Sequence, residues 1–180
     1  MFKNIINLDN QIYKKLQNYS KIYFFKITGY VGNIFFVSVF LLVIFFLPLD
    51  YFKKISIISF IGLAIDTILV FFIKFIFKRH RIENDDKLFL KKIDPYSFPS
   101  GHVSRLSVLI ITFYYMPVFL LIIFIITFLV GFSRMVRGYH YLSDCIIGML
   151  IGLFSGFISI ITSQFYYDYI IMILKYIKLI

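Results

Sequence analysis

Residues 55–77 read ISIISFIGLAIDTILVFFIKFIF, a run in which only Asp66 and Lys74 are charged. A hydrocarbon layer about 30 Å thick is crossed by about 20 helical residues, so this stretch predicts a membrane-spanning helix. Working outward, four further runs carry the same signal. One extends from about Ile27 to Leu49, opened by Gly29 and Gly32 and closed by Pro48 and the polar group Asp50 to Lys54. Another begins near Gly101 and reaches Tyr115, where Met116 and Pro117 mark a break before the apolar stretch Val118 to Val130. The last, Cys145 to Gln164, contains Gly148, Gly152 and Gly156, whose four-residue spacing permits close helix contact.

The composition agrees with this reading. Apolar side chains make up 61% of the 180 residues and charged ones only 16%, far too apolar for a soluble domain of this size. The expected fold class is all-α, a polytopic membrane helix bundle of about five spans in a single domain over residues 1–180. Ahead of the spanning core at 27–164, Phe2, Ile5, Ile6, Ile12, Tyr13 and Leu16 recur at helical spacing with lysines largely between them. They predict an amphipathic interfacial helix within residues 1–26. Asp9, Asn10 and Gln11 interrupt any short apolar run there, so no removable leader is expected. Residues 165–180 carry Asp168, Lys175 and Lys178 and are expected as a docked or interfacial tail.

The formal net charge is +10. Because the basic residues sit between and beside apolar runs, an anionic lipid surface is the expected partner and nucleic acid is not. The one cysteine, Cys145, excludes an intramolecular disulfide and a cysteine cluster for zinc.

Two polar loops, Lys78 to Ser100 and Ser133 to Asp144, fall on the same side as the N-terminus if five spans alternate. Each brings chemistry-bearing residues. Lys74 and Arg81 lie seven positions apart, two turns along one face if the helix persists, with Lys78, Arg79 and His80 close by. Pro99, Ser100, Gly101 and His102 stand at the start of the third span, where free amides and the helix dipole favour an anion. Ser133 and Arg134 are followed by His140 and, four residues later, Asp144. On a helix that spacing puts a carboxylate beside the imidazole, fixing its tautomer and leaving the other nitrogen free to attack. Taken singly, these are also the marks of snorkelling cations, a serine helix cap and a surface histidine.

Taken together, the three segments resemble the type 2 phosphatidic acid phosphatase superfamily. Its pattern is lysine, six residues, arginine and proline; then Pro-Ser-Gly-His; then Ser-Arg, five residues, histidine, three residues and aspartate. The spacings match at Lys74 and Arg81, at Pro99 to His102, and at Ser133, Arg134, His140 and Asp144. The family's proline after the first arginine is Ile82 here. The resemblance implies a lipid phosphatase in which His140 is the nucleophile, Asp144 orients it and His102 protonates the leaving group. It also implies that Lys74, Arg81, Ser100, Gly101 and Arg134 hold the phosphate, with no metal and no cofactor. The stretch DPYSFPSGHVSR, Asp94 to Arg105, resembles the polyisoprenoid and presqualene diphosphate phosphatases, which points the substrate towards isoprenoid phosphates or diphosphates, beside phosphatidic acid, phosphatidylglycerophosphate and lipid A phosphates.

Lys3, Lys14, Lys15, Lys21 and Lys26 precede the first span, against Lys53, Lys54, Lys175 and Lys178 on the opposite face. This bias predicts a cytoplasmic N-terminus and an active site on the cytoplasmic face of a bacterial cell membrane. It sets no oligomeric state. A phosphate-binding transporter or a catalytically silent scaffold is the rival reading, and neither explains the paired histidines and Asp144. Asp66, mid-span, is expected either to line a lipid access route or to bond a serine or threonine on a neighbouring helix.

Overall fold

The computed structural model describes residues 2–19, 22–81 and 94–177. Ile82 and the rest of the first polar loop up to residue 93 lie outside them. The described residues form helices α1 (Phe2–Leu16), α2 (Tyr23–Val31), α3 (Ile34–Phe45), α4 (Asp50–Phe77), α5 (Gly101–Thr112), α6 (Pro117–Val136) and α7 (Leu142–Tyr176). The polytopic helical bundle expected from the sequence is what is found. By length and apolarity α4, α6 and α7 qualify as membrane spans, and α3 and α5 are shorter apolar helices.

Three boundaries differ from expectation, each for a local reason. The first expected span is divided into α2 and α3 at Gly32 and Asn33. There the Asn33 side chain accepts a hydrogen bond from the Phe35 N–H and restarts the helix. The second polar loop is shorter than expected, because α6 runs on to Val136 and carries Ser133 and Arg134 in its last turns. Residues 165–176, expected as a separate tail, continue α7 without interruption. No glycine or proline follows Gly156, so nothing in that segment ends the helix.

The bundle is held where small residues let backbones approach. Gly148, Gly152 and Gly156 of α7 lie against Ser100, Ser104 and Val108 of α5, so the glycine row serves packing within the chain. Hydroxyls then bond between helices: Ser59 to Thr112 at 2.8 Å, Ser159 to the Ile58 carbonyl at 2.5 Å, and Ser104 to Asp66. Asp66 is fully buried and its partner is thus a serine on a neighbouring helix. An apolar core of Val37, Leu41, Leu63, Val108, Phe113 and Val130 completes the interior. Outward-facing aromatics such as Phe35, Phe71 and Phe128 are largely exposed, the surface a lipid environment would cover.

Candidate active site

Four helix ends meet at one end of the bundle. Helix α4 stops at Phe77 because Lys78 turns left-handed at φ 47°, its N–H closing onto the Lys74 carbonyl at 3.0 Å. Arg81 is therefore off the helix, and the two-turn alignment with Lys74 expected from the sequence is not how they meet. The chain returns antiparallel to itself through a His80 to Tyr96 bridge, with the Ser97 N–H donating to the Arg79 carbonyl at 2.7 Å. That return brings Asp94 between the two cations. Lys74 Nζ lies 2.7 and 2.6 Å from its two carboxylate oxygens, and Arg81 Nη2 lies 3.1 Å from Oδ2.

The same return segment positions His140. Its Nδ1 is 2.7 Å from the Ser97 carbonyl oxygen. A carbonyl only accepts, so Nδ1 carries the proton and Nε2 the lone pair. The Asp144 carboxylate, predicted to make this bond, stands 3.7 Å from Nδ1. His140 precedes α7 instead of lying on it, which is why the four-residue spacing gives proximity but not a direct hydrogen bond. Asp144 is held by the Tyr141 N–H at 2.9 Å and by Arg79 Nη1 at 2.8 Å.

His140 is 2% exposed. Burial first, and then the charges of Arg134, Arg81 and Lys74, hold its protonation well below the ordinary histidine range. The loop that carries it is folded onto the end of α6, because the Arg134 carbonyl accepts from the Tyr139 and His140 N–H groups at 3.1 and 3.3 Å. The Arg134 guanidinium lies over the Tyr139 ring at 4.3 Å.

Ser100 begins α5, but its side chain makes no capping bond; its N–H instead donates to the Asp144 carbonyl at 2.9 Å. Among the described residues, four buried donors are left without a partner here: Ser100 Oγ and the Nε atoms of Arg81, Arg105 and Arg134. Unsatisfied buried donors on cationic groups suit a polyanionic ligand. His102 follows in the first turn of α5, and Gly32 packs so closely on it that a Cβ there would lie 2.8 Å from the His102 Cβ.

The structure thus brings Lys74, Arg81, Ser100, Gly101, His102, Arg134, His140 and Asp144 to one end of the bundle, while Asp66 lies deeper, on Ser104. It adds Arg79, Asp94, Ser97, Arg105 and, from α1, Asp9. Asp94 and Arg105 bound the diphosphatase-like segment, which the sequence reading used for the substrate class alone. Ser97 acts through its carbonyl, and Asp9 is 70 residues from its partner Arg79, so their side-chain identities gave no such sign.

A buried imidazole with a free Nε2, set beside Lys74, Arg81 and Arg134 at one end of a helical membrane bundle, is chemically suited to an anionic group. The PAP2 superfamily model matches residues 55–168, more than half the chain, and the protein belongs to that superfamily. The fold is similar to that of Aquifex aeolicus LpxE, with a TM-score of 0.70 and 24% identity, covering 85% of this chain and 94% of that one. It is also similar to a transmembrane PAP2-type phosphatidylglycerolphosphate phosphatase from Bacillus subtilis, with a TM-score of 0.73 and 19% identity, covering 89% and 87% of the two chains.

Proposed function

We propose that the protein is a metal-independent lipid phosphatase working through a phosphohistidine at His140. The observation that carries this reading is the bond from His140 Nδ1 to the Ser97 carbonyl, which leaves Nε2 unprotonated beside Arg134, Arg81 and Lys74. In the first step Nε2 attacks phosphorus, the bond from phosphorus to the lipid oxygen breaks with its electron pair on oxygen, and His102 gives that oxygen a proton. In the second, water attacks the phosphohistidine, His102 takes the water proton, and the phosphorus–nitrogen bond breaks to return neutral His140. The imidazolium of the intermediate is stabilised by the Ser97 carbonyl and by Asp144. Lys74, Arg81 and Arg134, with Ser100 Oγ and the Gly101 amide, hold the non-bridging oxygens and meet the charge of the transition state.

The favoured headgroup is an isoprenoid phosphate or diphosphate, on the likeness of Asp94 to Arg105 to that group of phosphatases. The phosphatidylglycerolphosphate of the Bacillus subtilis relative is the second reading. The lysine bias of the N-terminal segment supports a cytoplasmic site. Phosphate release in EDTA from isoprenyl diphosphates, phosphatidic acid and phosphatidylglycerophosphate tests the proposal and ranks the headgroups. Binding of phosphate without release from any of these would instead favour a transporter or scaffold.

Two predictions arise from this geometry. The carboxylate of Asp94 holds Lys74 and Arg81, so an incoming phosphate meets a like charge. Asp94→Asn is expected to strengthen inhibition by inorganic phosphate about tenfold, roughly 1.4 kcal/mol; weaker inhibition in the variant would contradict this role. His140, held neutral by burial and its cationic neighbours, should take up its proton only well below the ordinary histidine range. In protein labelled at histidine, the imidazole resonance absent from His140→Ala should keep its neutral-form shift at about pH 6. A midpoint at or above the ordinary value would show that the site does not hold the imidazole neutral.

A further inference from the structure

Helix α1 exposes Ile5, Ile6 and Leu8 but buries Asp9, which is 3% accessible. The Asp9 carboxylate is fully engaged at the end of the bundle that holds His140. Its Oδ2 accepts from Arg79 Nη2 at 2.9 Å and from Ser143 Oγ at 2.6 Å, and its Oδ1 accepts from the Ser143 N–H at 3.1 Å. The other terminal nitrogen of Arg79 donates to Ser143 Oγ at 2.7 Å and to Asp144 Oδ1 at 2.8 Å. The guanidinium is stacked 3.8 Å over the Tyr141 ring. One planar cation therefore bridges two nearly buried carboxylates, one on the N-terminal helix and one beside His140.

We propose that Asp9 is a positioning residue for the reaction at His140, holding Arg79 and, through Arg79 and Ser143, the Asp144 carboxylate. The proposal rests on the reading of His140 and Asp144 given above. A guanidinium offers its donors in a fixed fork, so its orientation is set by both carboxylates together. With Asp9 neutralised, Arg79 keeps one charged partner and its plane is no longer fixed from the far side. The amide has one accepting oxygen where the carboxylate has two, so Ser143, in the first turn of α7 next to Asp144, loses one of its two bonds to this side chain. Asp144 then drifts relative to the imidazolium that forms on phosphorylation, while the cations that hold the phosphate stay where they are. The cost falls on turnover and spares binding. Because α1 carries exposed apolar residues beside Asp9, the same contact makes seating of this helix at a lipid interface a condition for a well-ordered site.

The test uses the full chain in detergent micelles with farnesyl diphosphate or, where the parent prefers it, phosphatidic acid. The variants are Asp9→Asn, Asp9→Glu, Arg79→Gln, the Asp9→Asn/Arg79→Gln double variant and His140→Ala. Asp9→Asn should lose about 10- to 100-fold in kcat with KM within about twofold, and Asp9→Glu should recover part of it. Arg79→Gln should lose a similar amount, and the double variant should be no worse than the poorer single one, because the two residues act along one path. A helix-docking role alone would lower the unfolding midpoint and leave kcat intact well below it. Parent-like kcat in Asp9→Asn with inactive His140→Ala would overturn the proposal alone, as would losses that multiply in the double variant. Parent-like release by His140→Ala would overturn the reading of the site and the proposal with it.

Discussion

Alanine in place of His140 is expected to remove phosphate release from every lipid, a loss on the order of 10⁴-fold or more, since a covalent nucleophile has no substitute among its neighbours. The side chains closest in charge are Arg134, Arg81 and Lys74, cations that can hold phosphate but cannot attack it. His102 moves protons in the proposed mechanism, and its backbone packs against Gly32. Binding should survive, because the cations and the Ser100 region remain. Inorganic phosphate should therefore still protect the variant against thermal unfolding. Release at the parent rate would mean that the nucleophile is another group.

The second large effect is expected at a residue with no side chain. At Gly148 an added Cβ would lie 2.5 Å from the Ser100 carbonyl oxygen and 3.2 Å from its nitrogen. Both are backbone atoms, so no side chain can swing aside. Gly148→Ala must push the start of α5 away from α7, break the 2.9 Å bond from the Ser100 N–H to the Asp144 carbonyl, and carry Ser100, Gly101 and His102 with it. The expected cost is about 10²-fold in kcat and about 1–3 kcal/mol of stability from overpacking. Gly131→Ala is the control, because its Cβ would meet only the Val103 Cγ2 at an ordinary 3.4 Å. It should keep near-parent activity and unfolding temperature. Equal behaviour of the two variants, read from kcat and the unfolding midpoint, would show that the approach of α5 to α7 does not set the site.

Much of this was legible in the chain because it is local. Apolar run length placed α4, α6 and α7, Pro117 opened α6 as its position suggested, and the glycine row marked the tightest helix contact, here met within one chain. The cation and histidine spacings assembled the site even where the local geometry differed. Lys74 and Arg81 meet by a left-handed turn at Lys78 and a shared Asp94, not along a continued helix. His140 and Asp144 are neighbours across a helix start, not on a helix face. What the sequence hid is what depends on long-range closure. Asp9 reads as a charged position on an amphipathic helix, and Arg79 as one more cation near the membrane edge. Only the folded chain joins them across 70 residues. The division of the first span at Asn33 turns on one side-chain cap that apolar length cannot report.

The central claim is a covalent phosphohistidine at His140, and the most direct measurement is rapid acid-free quenching of the purified protein during turnover of a ³²P-labelled lipid phosphate, in EDTA. The phosphorylated peptide is then located by mass. The account predicts label that is stable to alkali, lost in acid and carried on His140, absent from His140→Ala. It also predicts that label accumulates when His102 is replaced and a substrate with a good leaving group is used, since release then lacks its base. Turnover with no protein-bound label in the parent or in the His102 variant, or label on any other residue, would contradict it.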